Sequence, residues 1–135
     1  MNDVAAGLLD TSVFIARESG RGLGSLPTRV AVSVVTIGEL QLGVLSAGDD
    51  RVRARRGETL TLARRSDPMP ITEAVMAAWA HLVDDCRSAG VHKMVKVTDV
   101  LIAATAIAHG LPVVTQDDDY EQIARAHPAL RVVNV

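Results

Sequence analysis

Short apolar runs alternate with longer stretches of helical periodicity along this chain of 135 residues. Apolar runs bounded by turn signals predict strands, and such runs occupy residues 6–9, about 30–33, 111–114 and 131–135. The last run alternates and is expected at an edge of the sheet. Because helical segments separate the strands, the pattern predicts an α/β fold, with a parallel β-sheet flanked by helices on both faces.

The helical segments are predicted at residues 13–19, 36–45, 51–65, 72–89, 98–109 and 120–126. Thr36 and Glu39 have the spacing of a capping box, which places Glu39 in the first turn of its helix. Thr98 or Asp99 is expected to open a later helix. Pro68 and Pro70 are expected to interrupt the chain between two helices.

Composition narrows the class of protein. A chain of this length fits one domain, residues 1–135, and 48% hydrophobic residues are ample for its core. Only 2% of residues are aromatic, too few for a base-stacking platform. Cys86 is the only cysteine, which excludes a disulfide framework.

The first three residues lack the basic region of a signal peptide, and no apolar run could span a membrane, so we expect a cytoplasmic protein without a membrane partner.

Four acids occupy the positions that carry chemistry in such a fold. Asp10 directly follows a predicted strand, Asp117 lies just past another, and Glu39 and Asp99 fall in first turns of predicted helices. In an open parallel sheet these positions share one edge, where ligands bind. Clustered carboxylates repel each other, so a cation is expected among them. Oxygen ligands favour Mg²⁺ or Mn²⁺.

Each of these acids also has a purely structural explanation open to it. Glu39 would serve the capping box, Asp99 would cap or complement a helix N-terminus, and Asp117 would shape a turn. Asp10 is hardest to explain in this way, because it ends an apolar run. The coincidence of four such structural roles is less probable than any one of them.

Four segments together resemble PIN-domain ribonucleases, and among these the VapC-type toxins of bacterial toxin–antitoxin pairs. They are LLDTS at residues 8–12, VVTIGEL at 34–40, DVLIAATA at 99–106 and VVTQDDDY at 113–120. One such motif would be weak evidence, whereas four in order and with ordinary spacing are strong. The resemblance implies a three-layer α/β/α fold and an endoribonuclease that depends on Mg²⁺ or Mn²⁺.

The resemblance also implies roles for individual residues. It makes Asp10, Glu39, Asp99 and Asp117 the metal-binding and catalytic acids. One ion is expected mainly on Asp10, Asp99 and Asp117, with Glu39 acting through water. A set of accessory positions lines the site: Thr11, Ser12, Thr115 and Asp119. The resemblance leaves open whether Asp117 or Asp119 is the nearer ligand, and Asp117 is favoured because it directly follows the strand end. The resemblance also implies an RNA substrate, a VapB-type antitoxin and a homodimer.

Basic residues are needed to hold an RNA phosphate backbone. Lys93 and Lys96 precede the Asp99 helix and are the first candidates, whereas Arg17 and Arg21, on the helix after Asp10, are weaker ones. The arginine-rich segment 51–65 would contact RNA, an antitoxin or only water, and the sequence does not rank these.

Other classes of protein fit less well. A haloacid-dehalogenase phosphatase needs a second Asp two residues after the first, where this chain has Ser12. A receiver domain needs a Lys after a late strand, where acids follow Thr115. The remaining alternative is a catalytically silent PIN-like domain that binds RNA or a partner, and the complete set of acids argues against it.

Overall fold

The computed structural model describes residues 5–135. The first residues, on which the signal-peptide argument rested, lie outside this range. The described chain contains five strands, all parallel, in the sheet order β3-β2-β1-β4-β5. The strands are β1 (Ala6–Leu9), β2 (Arg29–Ser33), β3 (Pro68–Met69), β4 (Val113–Thr115) and β5 (Val132–Asn134).

Six helices connect and flank the strands of the described chain. They are α1 (Thr11–Glu18), α2 (Val34–Leu45), α3 (Asp50–Arg64), α4 (Glu73–Ser88), α5 (Val97–Ala108) and α6 (Tyr120–Ala126).

Alternation along the strands divides the core between the two faces of the sheet. Leu8 and Val113 point to one face, where they contact buried residues of α4, α5 and α6. Their neighbours Leu9 and Val114 point to the other face, against residues of α1, α2 and α3. The predicted three-layer α/β/α fold with helices on both faces is confirmed.

Helix termini follow the sequence signals in most places. The Thr72 side chain caps α4 by accepting a hydrogen bond from the Val75 amide. Gly90 and Gly110 follow α4 and α5 with φ values of 73° and 65°, a left-handed conformation that glycine adopts without a steric penalty.

The capping box predicted at Thr36 is wrong. Helix α2 begins at Val34, directly after β2, and its cap is Ser33, whose hydroxyl accepts a hydrogen bond from the Val35 amide. Thr36 is therefore a buried residue within the helix. Glu39 therefore lies beyond the first turn of α2, not within it as predicted.

Two other boundaries also differ from the prediction. Pro68 forms an edge strand with Met69, beside β2, instead of only interrupting the chain. An edge position tolerates proline because no neighbouring strand needs its missing amide hydrogen. Helix α5 begins at Val97, before the expected Thr98 or Asp99, and its N-cap Lys96 makes no side-chain capping bond.

Among residues 5–135, none of the helices combines the length and apolar character needed to cross a bilayer.

Gly7 lies where the central strand approaches its neighbours most closely. A Cβ atom built on Gly7 would stand 2.6 Å from Cγ2 of Val114 and 3.0 Å from Cγ of Pro27. Val114 is fully buried, and a β-branched side chain has little rotamer freedom with which to move away.

We therefore expect Gly7→Ala to lower the free energy of unfolding by about 1–3 kcal/mol, as overpacking of a core does. Gly57→Ala is the matched control, because nothing lies within 4 Å of the corresponding Cβ in the middle of α3. That variant should gain about 0.5–1 kcal/mol from its higher helix propensity. Urea denaturation followed by circular dichroism measures both; equal effects of the two substitutions would contradict the packing argument.

Candidate active site

The strand order creates a crevice at one edge of the sheet. From β1 the chain proceeds to β2 and β3 on one side and returns to β4 and β5 on the other. The carboxyl ends of β1 and β4 therefore lie at a topological switch point, the usual place for a ligand in an open α/β sheet. Asp10 follows β1 there, and Thr115 ends β4.

A pocket of about 250 Å³ occupies this crevice. Five of its residues are acids and two are basic, so the pocket is strongly acidic. All four predicted catalytic acids are brought together here, although they come from distant parts of the sequence. The residues that line this acidic pocket are Asp10, Thr11, Ser12, Ile15, Arg21, Glu39, Lys96, Asp99, Asp117 and Asp119.

Asp10 is the centre of the hydrogen-bond network. Its side chain is only 3% exposed. One carboxylate oxygen accepts a hydrogen bond from the Tyr120 hydroxyl at 2.8 Å, and the other accepts from the Thr115 hydroxyl at 2.9 Å and the Ser12 amide at 3.3 Å. The Ser12 contact also makes Asp10 the N-cap of α1. An ionised carboxylate has about four lone-pair positions, so three donors leave room for one more partner.

Helix α2 places Glu39 opposite the start of α1. The Thr11 hydroxyl donates to Oε1 of Glu39 at 2.7 Å, and its oxygen lies 3.0 Å from the buried Thr36 hydroxyl. Glu39 is thus held by a side chain that itself lines the acidic pocket. Because α2 begins at Val34, Glu39 has no role in a capping box. Thr36 supports the site through Thr11, a role that the sequence did not indicate.

Asp99 lies in the first turn of α5 but makes no capping bond. Its side chain is turned into the acidic pocket and is 8% exposed. Burial, followed by the negative charge of Asp10, raises the pKa of Asp99 to about 6. Burial and Asp10 also raise the pKa of Asp117. Both pKa shifts have burial as their largest cause and the predicted repulsion among the acids as the second.

Tyr120 is the residue that sequence reasoning missed. It was assigned only to the start of a helix, yet its hydroxyl donates to Asp10 and lies 3.4 Å from Oδ1 of Asp99. Burial, with the charges of Asp10 and Asp99, raises its pKa, so the hydroxyl keeps its hydrogen. A hint was present, since a tyrosine placed on an apolar helix face needs a buried partner for its hydroxyl.

Small polar residues tie the end of β4 to the start of α1. The Ser12 hydroxyl accepts from the Gln116 amide at 3.0 Å and lies 3.2 Å from the Thr115 hydroxyl. Thr115 also accepts from the Asp117 amide at 3.0 Å. The accessory residues Ser12 and Thr115 thus fix the backbone that carries Asp117.

Asp119 and Lys96 face each other at the rim of the acidic pocket. The Lys96 ammonium lies 3.5 Å from Asp119, and both side chains are largely exposed. Asp119, followed by Asp99, raises the pKa of Lys96. Asp118, between the two pocket acids in the sequence, is exposed to solvent. Both Asp117 and Asp119 line the pocket, so the lining does not distinguish which is nearer to an ion.

The predicted RNA-binding residues separate into two groups. Lys96 lines the acidic pocket, together with Arg21 of the loop after α1. Lys93 is exposed and does not line the pocket. Arg17 lines a different groove, with Arg65 and Gly57 of the arginine-rich segment.

The donor set suits a hard divalent cation, because the acidic pocket offers only oxygen ligands. Within residues 5–135, no three Asp, Glu, His or Cys side chains stand close enough to hold one ion as a group. The expected site with Asp10, Asp99 and Asp117 as three direct ligands is therefore not preformed. Mg²⁺ commonly keeps several waters and uses one or two carboxylates. The residues thus fit a partly hydrated Mg²⁺ or Mn²⁺.

Known proteins resemble this chain along most of its length. The PIN domain family matches residues 7–126, a range that includes every residue lining the acidic pocket. Ribonuclease VapC8 of Mycobacterium tuberculosis is 64% identical over 77% of this chain and 93% of its own. Ribonuclease VapC4 of the same organism is 46% identical, and the match covers 98% of this chain and 99% of the relative. A crystal structure of VapBC-5 from M. tuberculosis, a member of the VapBC family of toxin–antitoxin systems, is also similar. It matches with a TM-score of 0.84 and 38% sequence identity, and the match covers 97% of this chain and 99% of that one.

The raised pKa of Asp99 predicts a pH-dependent cost of folding in the absence of metal. A carboxyl whose pKa rises from 3.8 unfolded to about 6 folded binds protons more tightly in the native state, so stability falls as pH increases through that interval. Asp99→Asn removes the charge. In EDTA it should stabilise the protein by about 1 kcal/mol more at pH 8 than at pH 5, since one pKa unit corresponds to about 1.4 kcal/mol.

Chemical denaturation of both proteins at the two pH values measures this difference. Asp118→Asn is the control, because Asp118 is exposed and does not line the acidic pocket. An Asp99→Asn effect that is the same at both pH values would contradict the assigned crowding.

Proposed function

Because the chain belongs to the PIN domain family, we propose that it is an endoribonuclease that depends on Mg²⁺ or Mn²⁺ and acts as the toxin of a toxin–antitoxin pair. The observation that carries the proposal is the convergence of Asp10, Glu39, Asp99 and Asp117 on one pocket at the sheet edge. The relatives named ribonucleases VapC8 and VapC4 support the reaction class.

Asp10 and Asp99 are the residues we assign to direct contact with the metal. Asp10 has a free lone-pair position, and the ionised form of Asp99 would gain most from an added positive charge. Glu39 and Asp117 would act through bound water. When bound, the ion supplies a water of lowered pKa and neutralises the charge that develops on the phosphate.

The protein's own residues then orient the reaction. Asp99 or Glu39 accepts a proton from the attacking water. Thr11 keeps Glu39 directed at the pocket through their 2.7 Å hydrogen bond. Because water and not the ribose 2′-hydroxyl attacks, the products carry 5′-phosphate and 3′-hydroxyl ends.

An RNA backbone must approach a pocket that is itself negative. Lys96 and Arg21 supply positive charge inside the acidic pocket, and we assign them the phosphates beside the scissile bond. Lys93 and Arg17 lie outside the pocket, so they would contact RNA further along the strand. With RNA as the substrate, the proposed place of action is the cytoplasm.

The proposed partner is a VapB-type antitoxin, and the active protein is proposed to be a homodimer. The VapBC-5 structure of M. tuberculosis, which matches nearly the whole of this chain, supports the antitoxin partner.

Replacement of the central acids should abolish cleavage. Asp10→Asn and Asp99→Asn each remove a negative charge at constant size. We expect each to lower the rate by more than the roughly 10–100-fold that loss of a supporting residue around a metal costs. The assay follows total RNA with Mg²⁺, with Mn²⁺ and with EDTA, and sequencing of the ends determines the phosphate position.

Equal cleavage by the wild type and both variants would identify a contaminating nuclease. A 2′,3′-cyclic phosphate end would contradict attack by water. RNA binding without cleavage at any Mg²⁺ or Mn²⁺ concentration would favour the catalytically silent alternative.

Lys96→Ala should weaken RNA binding more than catalysis. Loss of one phosphate contact reduces the slope of log affinity against log salt by about 0.7 for a single strand. Fluorescence anisotropy with a labelled RNA and the Asp99→Asn protein, which should not cut it, measures that slope. Lys93→Ala is the matched control outside the acidic pocket and should change the slope less; the reverse order would contradict the assignment of Lys96.

A further inference from the structure

The hydroxyl of Tyr120 lies between two acids that come from separate elements. It donates to Oδ1 of Asp10 at 2.8 Å and lies 3.4 Å from Oδ1 of Asp99. Tyr120 is fully buried at the first position of α6, whereas Asp10 follows β1 and Asp99 belongs to α5. One hydroxyl group therefore links three elements at the acidic pocket.

This hydroxyl is not explained by packing. Phenylalanine would fill nearly the same volume in the core formed by α4, α5 and α6, without a polar group that loses its hydration on burial. A buried hydroxyl is retained without a large cost only where it is hydrogen bonded. Here the hydroxyl has the two acids as its partners. The site therefore accounts for tyrosine at this position, and packing in the core does not.

Asp99 depends on Tyr120 more than Asp10 does. Asp10 also accepts hydrogen bonds from Thr115 and the Ser12 amide. In the part of the chain that the structure describes, the Asp99 carboxylate accepts a hydrogen bond only from Tyr120, and it shares that single hydroxyl hydrogen with Asp10. Without the hydroxyl, no hydrogen bond in this range would tie the Asp99 carboxylate to Asp10.

We propose that Tyr120 is a positioning residue for the metal site, an inference that rests on the proposed metal-dependent function. Its hydroxyl holds the Asp10 and Asp99 carboxylates at the spacing that lets them share one hydrated divalent ion. The ion then meets two carboxylates that are already held close together. Without the hydroxyl, their mutual repulsion would push them apart. Residues around a metal that orient its ligands contribute in this way to affinity.

Isothermal titration calorimetry with Mn²⁺ alone tests the proposal without an activity assay. Tyr120→Phe removes only the hydroxyl, and we expect its Kd for Mn²⁺ to be about 10–100-fold higher than that of the wild type. Ile123→Val is the matched control: Ile123 is also fully buried on α6, and its truncation disturbs the same core without touching an acid. It should leave the Kd unchanged.

The possible outcomes separate this inference from the proposed function. Equal or tighter Mn²⁺ binding by Tyr120→Phe, beside a wild type that binds, would overturn the positioning role alone. An equal loss of affinity in Ile123→Val would show a purely structural effect and would also overturn it. If the wild type bound neither Mn²⁺ nor Mg²⁺, both the inference and the metal-dependent function would fail.

A second measurement keeps the Tyr120 hydroxyl and so does not require the Tyr120→Phe variant to fold. Tyr120 is the only tyrosine in the chain, so replacement of all tyrosine by 3-fluorotyrosine labels this position alone. The ¹⁹F resonance should shift as Mg²⁺ is added, with the Kd that a calorimetric titration with Mg²⁺ gives, and should not shift in Asp99→Asn. A resonance that stays unchanged while calorimetry shows Mg²⁺ binding would contradict a hydroxyl in contact with both metal-binding acids.

Discussion

Repulsion among carboxylates at one edge of the sheet is the constraint on which the rest of this structure depends. Five acids line a pocket that also contains only one lysine and one arginine. Burial and mutual charge raise the pKa of Asp99 to about 6 and raise that of Asp117 as well. A fold that keeps such a cluster loses stability by it. A bound cation offsets that cost, and this is the physical basis of the proposed reaction.

The fold supplies what is needed to hold the cluster in place. The central position of β1 brings Asp10 between neighbours on both sides, and the topological switch opens the crevice beside β4. Hydroxyl groups then fix the acids: Thr115 and Tyr120 bind Asp10, and Thr11 binds Glu39. These donors compensate negative charge without adding positive charge, so the pocket remains able to attract a cation. Lys96 and Arg21, which also line the pocket, supply positive charge that allows an anionic RNA strand to approach.

Much of this could be predicted from the sequence because strand ends and helix starts are marked by local signals. Asp10 and Asp117 were placed correctly at the sheet edge because apolar runs end beside them. Glu39 reached the same pocket for a different reason than the predicted capping box: Ser33 starts the helix early, and only the structure shows which hydroxyl caps it. For Tyr120 the sequence indicates only that a buried hydroxyl needs a partner, and it does not identify the partners, which lie 110 and 21 residues away. Long-range hydrogen bonds of this kind leave no periodic pattern in a sequence.

The central claim is that a divalent ion resides among these acids, and anomalous X-ray scattering from crystals grown with Mn²⁺ tests it most directly. Our account predicts one strong anomalous peak in the acidic pocket, with carboxylate oxygens of Asp10 and Asp99 at about 2.0–2.2 Å, as hard-cation geometry requires. The peak should disappear in crystals of Asp99→Asn. A peak outside the pocket, or none in the wild type at saturating Mn²⁺, would contradict the account.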